Sequence, residues 1–315
     1  MRFGTVALVG RSNVGKSTLL NAVLGEPLAA VSPRPQTTRD ALLGVVNRKE
    51  AQIAFLDTPG IHRPRTELGR RMNAAAREAA RGADVVVLMT DVSALSGSRR
   101  DAAARPLLDE DRALIDEVPR GTPLLVVINK IDLLKDKARL LPMMAAIREL
   151  REATTCIPVS ALTDDGIARV VDEIEALLPE GPAGYDASTL TDRSTTFFVK
   201  EYIREQALLA ARSEVPHAVA VSVEKFVETR SVVVIKATIH VEKAGQRTIL
   251  VGRGGSKIKE IGTLARKRIE SLLDRKVHLE LFVRVTPRWK DVPRQLAELG
   301  YDAPPTSGVP PSGAS

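Results

Sequence analysis

Cysteine is almost missing from this chain: among 315 residues there is one, Cys156. A single thiol closes no intramolecular disulfide and builds no cysteine-rich zinc cluster. Aromatic residues are scarce too, at 3%, so a binding surface dominated by stacked rings is not expected. The longest apolar runs, such as Val85-Val86-Val87-Leu88-Met89, have strand length, well short of the ~20 residues of a membrane span. The N-terminus enters an apolar strand with no basic region, hydrophobic region and small-residue cleavage site ahead of it. These absences lead us to expect an intracellular, cytoplasmic protein. What is present is 44% hydrophobic and 27% charged, a globular composition with length for two domains.

The formal charge of +7 is concentrated in one place. Residues 251–290 hold eleven Lys/Arg against four acids, while the rest of the chain balances at 35 of each sign. A net charge confined to one segment is the footprint of a polyanionic partner.

From the start to about residue 179, short apolar runs alternate with amphipathic stretches of helical length. Strands are expected at 5–9, 42–46, 52–56, 84–89, 124–128 and 156–159, and helices at 16–24, 67–81, 103–118, 137–151 and 165–178. This alternation predicts an α/β domain with a mostly parallel sheet and helices on both faces. The short polar stretch Asn47–Ala51 predicts an antiparallel edge pair. A Pro/Gly-rich linker is expected at 180–192. Beyond it, 193–290 reads as a smaller α+β domain in the order helix, strand, strand, helix, glycine loop, helix, strand. A C-terminal helical extension is expected at 291–302, and the Pro/Ser/Gly-rich end, 303–315, reads as disordered.

Residues 10–17, Gly-Arg-Ser-Asn-Val-Gly-Lys-Ser, match G-x-x-x-x-G-K-[ST] between a strand and a helix. Such a P-loop turns backbone N–H groups onto phosphate oxygens at a helix N-terminus. Gly10, Asn13, Val14, Gly15, Lys16, Ser17 and Thr18 are therefore assigned to nucleotide binding. Lys16 would reach the β- and γ-phosphates, and the Ser17 hydroxyl would be a Mg²⁺ ligand. "DTPG" (57–60) follows the third strand; Asp57 would hold Mg²⁺ through water, and the Gly60 N–H would contact the γ-phosphate. "NKID" (129–132) supplies Asn129, Lys130 and Asp132, with a buried Asp132 accepting from guanine N1 and N2 and Asn129 addressing its N7/O6 edge. Adenine lacks those donors, so the site would select guanine. "SAL" brings Ser160, Ala161 and Leu162, the Ala161 N–H serving guanine O6. These motifs, in order at strand ends, indicate GTP/GDP with Mg²⁺. A threonine of "PRPQTTRDA" (33–41), Thr37 or Thr38, must also close on the metal. Where small signalling GTPases carry a water-orienting glutamine after DTPG, this chain has Ile61. Nothing in the following "IHRPRTELGRR" is an evident replacement, His62 being more often a loop residue without a role. Slow intrinsic hydrolysis follows, stimulated by a partner or a cation.

The second glycine loop, "VGRGGSKIKEIG", lacks G-K-[ST] and is no P-loop. It contains Gly252-Arg253-Gly254-Gly255 between two helices with buried faces, which reads as a type II KH module clamping single-stranded RNA backbone. Gly252, Arg253, Gly254, Gly255, Lys257 and Lys259 are the candidate RNA contacts. A plain α+β domain with a charged solvent face fits less well, because charge and loop coincide.

Over nearly its full length the chain resembles the Era family of ribosome-associated GTPases. "GRSNVGKSTLLNAVLG", "SPRPQTTRD", "DTPGIHRP", "NKID" and "SAL" are similar to its first half, and "FVKEYIREQ", "GQRTILVGRGGSKIKEIGTLARKRIESLL" and "KVHLELFVRVTPRW" to its second. The resemblance implies binding of 16S rRNA near its 3′ end, a role in maturation of the 30S ribosomal subunit, and a GTP-gated domain rearrangement. It implies Thr38 rather than Thr37 as the metal-closing residue, so that Lys16, Thr38, Gly60 and Asn13 form the hydrolytic set. In related GTPases an asparagine at Asn13 helps hold K⁺; simple turn preference is the other reading of that residue. A peripheral contact with the inner face of the membrane is reported for the family, and we expect a monomer. Ser12 departs from the usual proline, and the stretch 94–111 is longer than expected. Two alternatives compete: a regulatory GTPase whose basic domain meets anionic lipid or another polyanion, and an RNA-binding scaffold with a degenerate nucleotide site. No interfacial amphipathic helix supports the first, and the intact set Lys16, Ser17, Asp57, Asn129 and Asp132 argues against the second.

Overall fold

The computed structural model describes residues 1–34, 36–95, 106–152, 154–211 and 219–301. The tail at 303–315 and most of the 94–111 stretch lie outside the described residues. The first domain runs β1 (Arg2–Gly10), α1 (Lys16–Leu24), β2 (Leu42–Asn47), β3 (Ala51–Asp57), α2 (Glu67–Gly82), β4 (Val85–Asp91), α3 (Asp109–Glu117), β5 (Leu124–Asn129), α4 (Leu140–Leu150), β6 (Thr155–Pro158) and α5 (Ile167–Leu177). The sheet order is β2-β3-β1-β4-β5-β6, parallel except for β2, which pairs antiparallel with β3 at the edge as expected. Alternate residues of the central strands enter different cores. Val6, Leu8, Val85, Val87, Leu125 and Val127 face α1 and α5, whereas Ala7, Val9, Val86, Leu88, Val126 and Ile128 face α3 and α4. The period-2 pattern buried on both sides is what a doubly covered parallel sheet demands. Among the described residues the helix expected over 103–118 begins only at Asp109, where three acids fill its first turn and favour the positive helix start.

The second domain comprises α6 (Thr195–Ala210), β7 (Ala220–Glu228), β8 (Val233–Val241), α7 (Ala244–Val251), α8 (Ser256–Leu273) and β9 (Val277–Val285), followed by α9 (Pro293–Glu298). Its sheet is β7-β8-β9, with β8 and β9 parallel. Ile235, Ala237 and Ile239 pack under Val199 and Ile203 of α6 and Ile261, Ala265 and Ile269 of α8. No helix among the described residues is long and apolar enough to cross a membrane.

The two domains are tied by more than a tether. The linker straps onto the sheet edge: the Val45 N–H donates to Leu190 O (2.9 Å), and Gln52 Oε1 accepts from the Gly184 and Tyr185 N–H groups. That covers a strand edge otherwise open to pairing. The C-terminal extension returns to the first domain, where Trp289, Leu296, Leu299 and Tyr301 form a small core with Leu68 and Met72 of α2 and Ala220. The Leu68 N–H donates to Lys290 O (3.0 Å), and Arg71 Nη1 donates to Tyr301 O (2.8 Å).

Candidate functional site

The strand order places the ends of β1, β3, β4 and β5 side by side, the position where open α/β sheets bind ligands. A cleft of about 450 Å³ lies there, lined by the P-loop, residues 30–33 and 36–38, Gly60 and the NKID stretch. Of the candidate residues, Asn13, Gly15, Lys16, Ser17, Thr18, Thr38, Gly60, Asn129, Lys130, Asp132 and Leu162 line it, whereas Gly10, Val14, Asp57, Ser160 and Ala161 do not.

Gly15 adopts φ 106°, and a Cβ there would lie 2.2 Å from Asn129 Nδ2; only glycine lets the loop rest against the end of β5. Lys16 is 6% exposed, and its Nζ donates to Gly10 O (3.1 Å) and Arg11 O (3.0 Å), folding back over the loop. Burial pushes its ammonium down to about 8, with Asp57 opposing the shift. Behind the loop Arg11 bridges Asp111 (2.8 Å) and Asp91 (3.3 Å), while Lys130 Nζ reaches Asp91 (2.6 Å) and Asn13 O (2.8 Å). Sequence reasoning missed this brace, because its acids sit far from the motif in the chain.

Ser17 Oγ donates to Asp57 Oδ2 (2.6 Å) and lies 2.7 Å from Thr38 Oγ1. Thr37 turns away to Ser32 (2.6 Å) and Arg34 O (2.8 Å), so Thr38 is the threonine at the cluster. Asp57 is fully buried, and its Oδ1 has no hydrogen-bond partner. Two hydroxyls and a carboxylate with an orphaned oxygen suit a hard cation; Ser17, Thr38 and Asp57 would hold Mg²⁺, which would neutralise charge on the phosphates.

Burial pushes the Asp57 carboxyl up to about 6, against the pull of Lys16, Ser17 and Thr38. The folded state thus holds this proton more tightly than the unfolded chain, whose value is near 3.8. Stability falls as pH rises from there through 6, and at pH 7 the whole cost, on the order of 3 kcal/mol, is present. Asp57→Asn will therefore melt about 5 °C higher than wild type without nucleotide at pH 7. The same variant will lose most of the stabilisation that Mg²⁺–GTP confers. Calorimetry at pH 7 and pH 5 checks both, and the gain must shrink at pH 5.

Gly60 lies on the P-loop backbone: a Cβ would stand 2.6 Å from Ser12 Cα and 2.7 Å from Ser12 N. Ser12 Oγ is buried beside it without a hydrogen-bond partner. Asn13 has φ 64°, and its Nδ2 donates to Pro33 O (2.9 Å), joining the P-loop to the segment that carries Thr38.

The base end departs from expectation in two details. Asn129 donates to the Val14 carbonyl (2.8 Å), and its oxygen accepts the Ala161 N–H (2.9 Å). That N–H, expected to serve guanine O6, thus locks the SAL loop to NKID, because the Asn129 oxygen is the acceptor in reach. Asp132 is exposed at the rim rather than buried, oriented by a hydrogen bond from Ser160 Oγ (2.7 Å). Discrimination against adenine at Asp132 would arise only when a base covers it. Leu133 and Leu162, 68% and 79% exposed, supply apolar walls; Leu133 carried no motif signal.

In the second domain Gly252, Gly254 and Gly255 all have left-handed φ (72°, 59° and 78°), and a Cβ on Gly254 would meet nothing within 4 Å. Arg253 and Lys259 are exposed, and Lys257 packs its stem beneath Gly252. The basic surplus is not all available to a polyanion. Arg268 leaves it to pair with Glu205 and donate to Pro27 O (2.7 Å), Arg275 pairs with Glu228, and Lys290 with Glu242. A groove on the sheet of this domain, lined by Glu224, Lys225, Lys236, Arg247, Arg284 and Phe282, adds cations and one exposed ring with Lys236 Nζ 4.9 Å above it.

The segment from Pro27 to Asp40, which carries Thr38, lies against the second domain. Arg204, 1% exposed, donates to Thr37 O. Despite burial, the adjacent Glu201 keeps that guanidinium firmly charged. Arg39, 3% exposed, donates to Val219 O (2.6 Å) and lies over the rings of Trp289 (5.3 Å) and Tyr301 (5.8 Å). These partners belong to parts of the sequence without nucleotide motifs, so only the fold reveals them.

Residues 5–130 match the family model of the 50S ribosome-binding GTPases, and residues 214–290 match that of the KH domain. The chain is 42% identical over 302 residues to the GTPase Era of Syntrophus aciditrophicus, covering 95% of each. It is 42% identical to that of Geobacter sp. strain M21, covering 96% of this chain and 98% of the relative. The structure of Era in complex with MgGDPNP and nucleotides 1506–1542 of 16S ribosomal RNA is 36% identical, with TM-score 0.88 over 96% of this chain and 99% of that one. A point variant of Aquifex aeolicus Era bound to GDP·AlF₄⁻ superposes with TM-score 0.85 over the same shares, also at 36% identity. P-loop, guanine motifs and glycine-loop KH domain recur in one order along one fold, and the chain belongs to the Era family of GTPases.

Proposed function

We propose that this protein is a slow, Mg²⁺-dependent GTPase that binds 16S rRNA near its 3′ end and assists maturation of the 30S subunit. The observation that carries the reading is the shared segment Pro27–Asp40. Its Thr38 stands at the metal cluster (2.7 Å from Ser17 Oγ), while its Thr37 carbonyl and Arg39 side chain are held by the RNA-binding half. A change at the γ-phosphate end of the cleft is thereby felt in the second domain, as nucleotide-gated RNA binding requires. The solved relative bound to MgGDPNP and a 16S fragment supports the ligand pair.

Hydrolysis is slow, with Ile61 standing where a glutamine follows DTPG in small signalling GTPases, and K⁺ accelerates it. The K⁺ reading rests on Asn13, the position at which related GTPases hold that ion; here its Nδ2 donates to Pro33 O (2.9 Å). The protein acts as a cytoplasmic monomer, and any contact with the inner membrane surface is peripheral. The test is GTP turnover in K⁺ and in Na⁺ buffer, with and without an RNA matching the 3′ end of 16S rRNA. We expect stimulation by K⁺ and by that RNA. Gly254→Asp will lose RNA stimulation and at least ~100-fold in RNA affinity, because it adds an anion and a strained side chain where backbone phosphates approach. Turnover indifferent to RNA, with no binding, removes the ribosomal assignment.

A further inference from the structure

The hydrolytic reading above leaves open what orients the attacking water. Ile61 does not: its N–H donates to Gly10 O (3.1 Å), and its side chain packs on the core beneath the sheet. A different glutamine does line the cleft, on the segment that carries Thr38. Gln36 shares its wall with Ser12, Gly60 and Thr38. Its amide nitrogen lies 2.8 Å from His62 Nε2, and His62 Nδ1 lies 3.0 Å from Gly60 O.

These two contacts fix the hydrogens. A carbonyl oxygen only accepts, so Nδ1 carries the proton and Nε2 accepts from the Gln36 amide. The Gln36 oxygen is then turned away from His62. His62 is itself anchored, since Asn73, 4% exposed on α2, donates Nδ2 to His62 O (2.7 Å) and accepts the His62 N–H (3.3 Å). Gln36 also holds φ 62°, a left-handed conformation that a non-glycine residue keeps only when its surroundings enforce it. An oriented amide in a strained backbone, one imidazole away from the glycine expected at the γ-phosphate, has the attributes of a water-positioning group.

We propose that Gln36 is a catalytic residue that positions the hydrolytic water on the γ-phosphate, with His62 as the positioning residue that holds its amide. In the step, the water oxygen bonds to the γ-phosphorus. The bond from that phosphorus to the bridging oxygen breaks, and its electron pair leaves with GDP. The water's proton passes to a phosphate oxygen. The Gln36 oxygen accepts a hydrogen bond from the water and neither gains nor loses a proton.

The test compares Gln36→Gly, Gln36→Ala, His62→Ala and the double variant Gln36→Ala/His62→Ala in the full-length protein. Gln36→Gly removes side chain and backbone strain together, so it folds at least as well as wild type. Fluorescent GDP and GTP-analogue affinities are measured first and should stay within about twofold, which separates this proposal from the nucleotide site itself. Single-turnover hydrolysis should fall at least about tenfold in both Gln36 variants. It should fall less in His62→Ala, and no further in the double variant than in Gln36→Ala alone. Wild-type rates in Gln36→Gly overturn the assignment. So does a rate loss matched by lost affinity, or additive losses in the double variant.

Discussion

Lys16→Ala will hydrolyse GTP at least ~10³-fold more slowly than wild type, and its melting temperature without nucleotide will not fall in proportion. The ammonium is buried and held over the loop by the Gly10 and Arg11 carbonyls, so it meets charge developing on the phosphates without reorganising. One preorganised donor of this kind contributes about 3–4 kcal/mol to the transition state, and its ground-state contacts add to that. The same burial makes the charge a burden on the empty protein. An amine near 10.5 in the unfolded chain and about 8 when folded binds its proton more weakly in the fold. That cost is full below pH 8 and fades as pH rises toward 10.5. Removing the amine therefore relieves the empty fold while it disables the enzyme. Single-turnover rates beside thermal melts at pH 7 check the pair of outcomes; normal hydrolysis with normal GTP binding would place Lys16 away from the phosphates.

The second large effect is expected far from the phosphates in sequence. Arg39→Ala will weaken binding of a GTP analogue about 10- to 100-fold while GDP affinity changes little, because only the triphosphate state needs Thr38 closed. Arg39 is sandwiched in the seam, donates to Val219 O, and sits over Trp289 and Tyr301. Truncating it leaves a cavity and an unpaired carbonyl, together about 2–4 kcal/mol. Part of that falls on the position of Thr38 next door. Trp289→Ala should give the same split from the other side. Titrations with GDP and a non-hydrolysable triphosphate check it, and equal losses for both nucleotides would mean that the seam does not serve the metal threonine.

The nucleotide half was legible because its chemistry is written in short segments, each placed at a strand end. Lys16 and Ser17 line the cleft, and Asp57 is bonded to Ser17 behind it. The glycine loop declared its left-handed backbone through Gly252, Gly254 and Gly255. What stayed hidden was made by juxtaposition. Arg11 meets Asp111 a hundred residues away, Arg204 meets Thr37, and Arg268 is drawn out of the basic patch to brace Pro27. None of these pairs has a spacing rule, since the partners come together only through sheet order and domain docking. Gln36 was hidden for another reason: it sits beside the motif threonine, where nothing in composition separates a turn residue from a working one.

The return of Trp289, Leu296 and Tyr301 to Leu68 and Met72 also sets an order of events during synthesis. A chain emerging from the ribosome can complete its GTPase half, and then its RNA-binding half, before the last residues of that patch leave the exit tunnel. Until then Arg39 has neither Trp289 nor Tyr301 to lie against. The ring contacts at Arg39 are consequently the last part of the coupling to form, and a chain ending near residue 288 would keep Arg204 on Thr37 and Arg268 on Pro27 while lacking them.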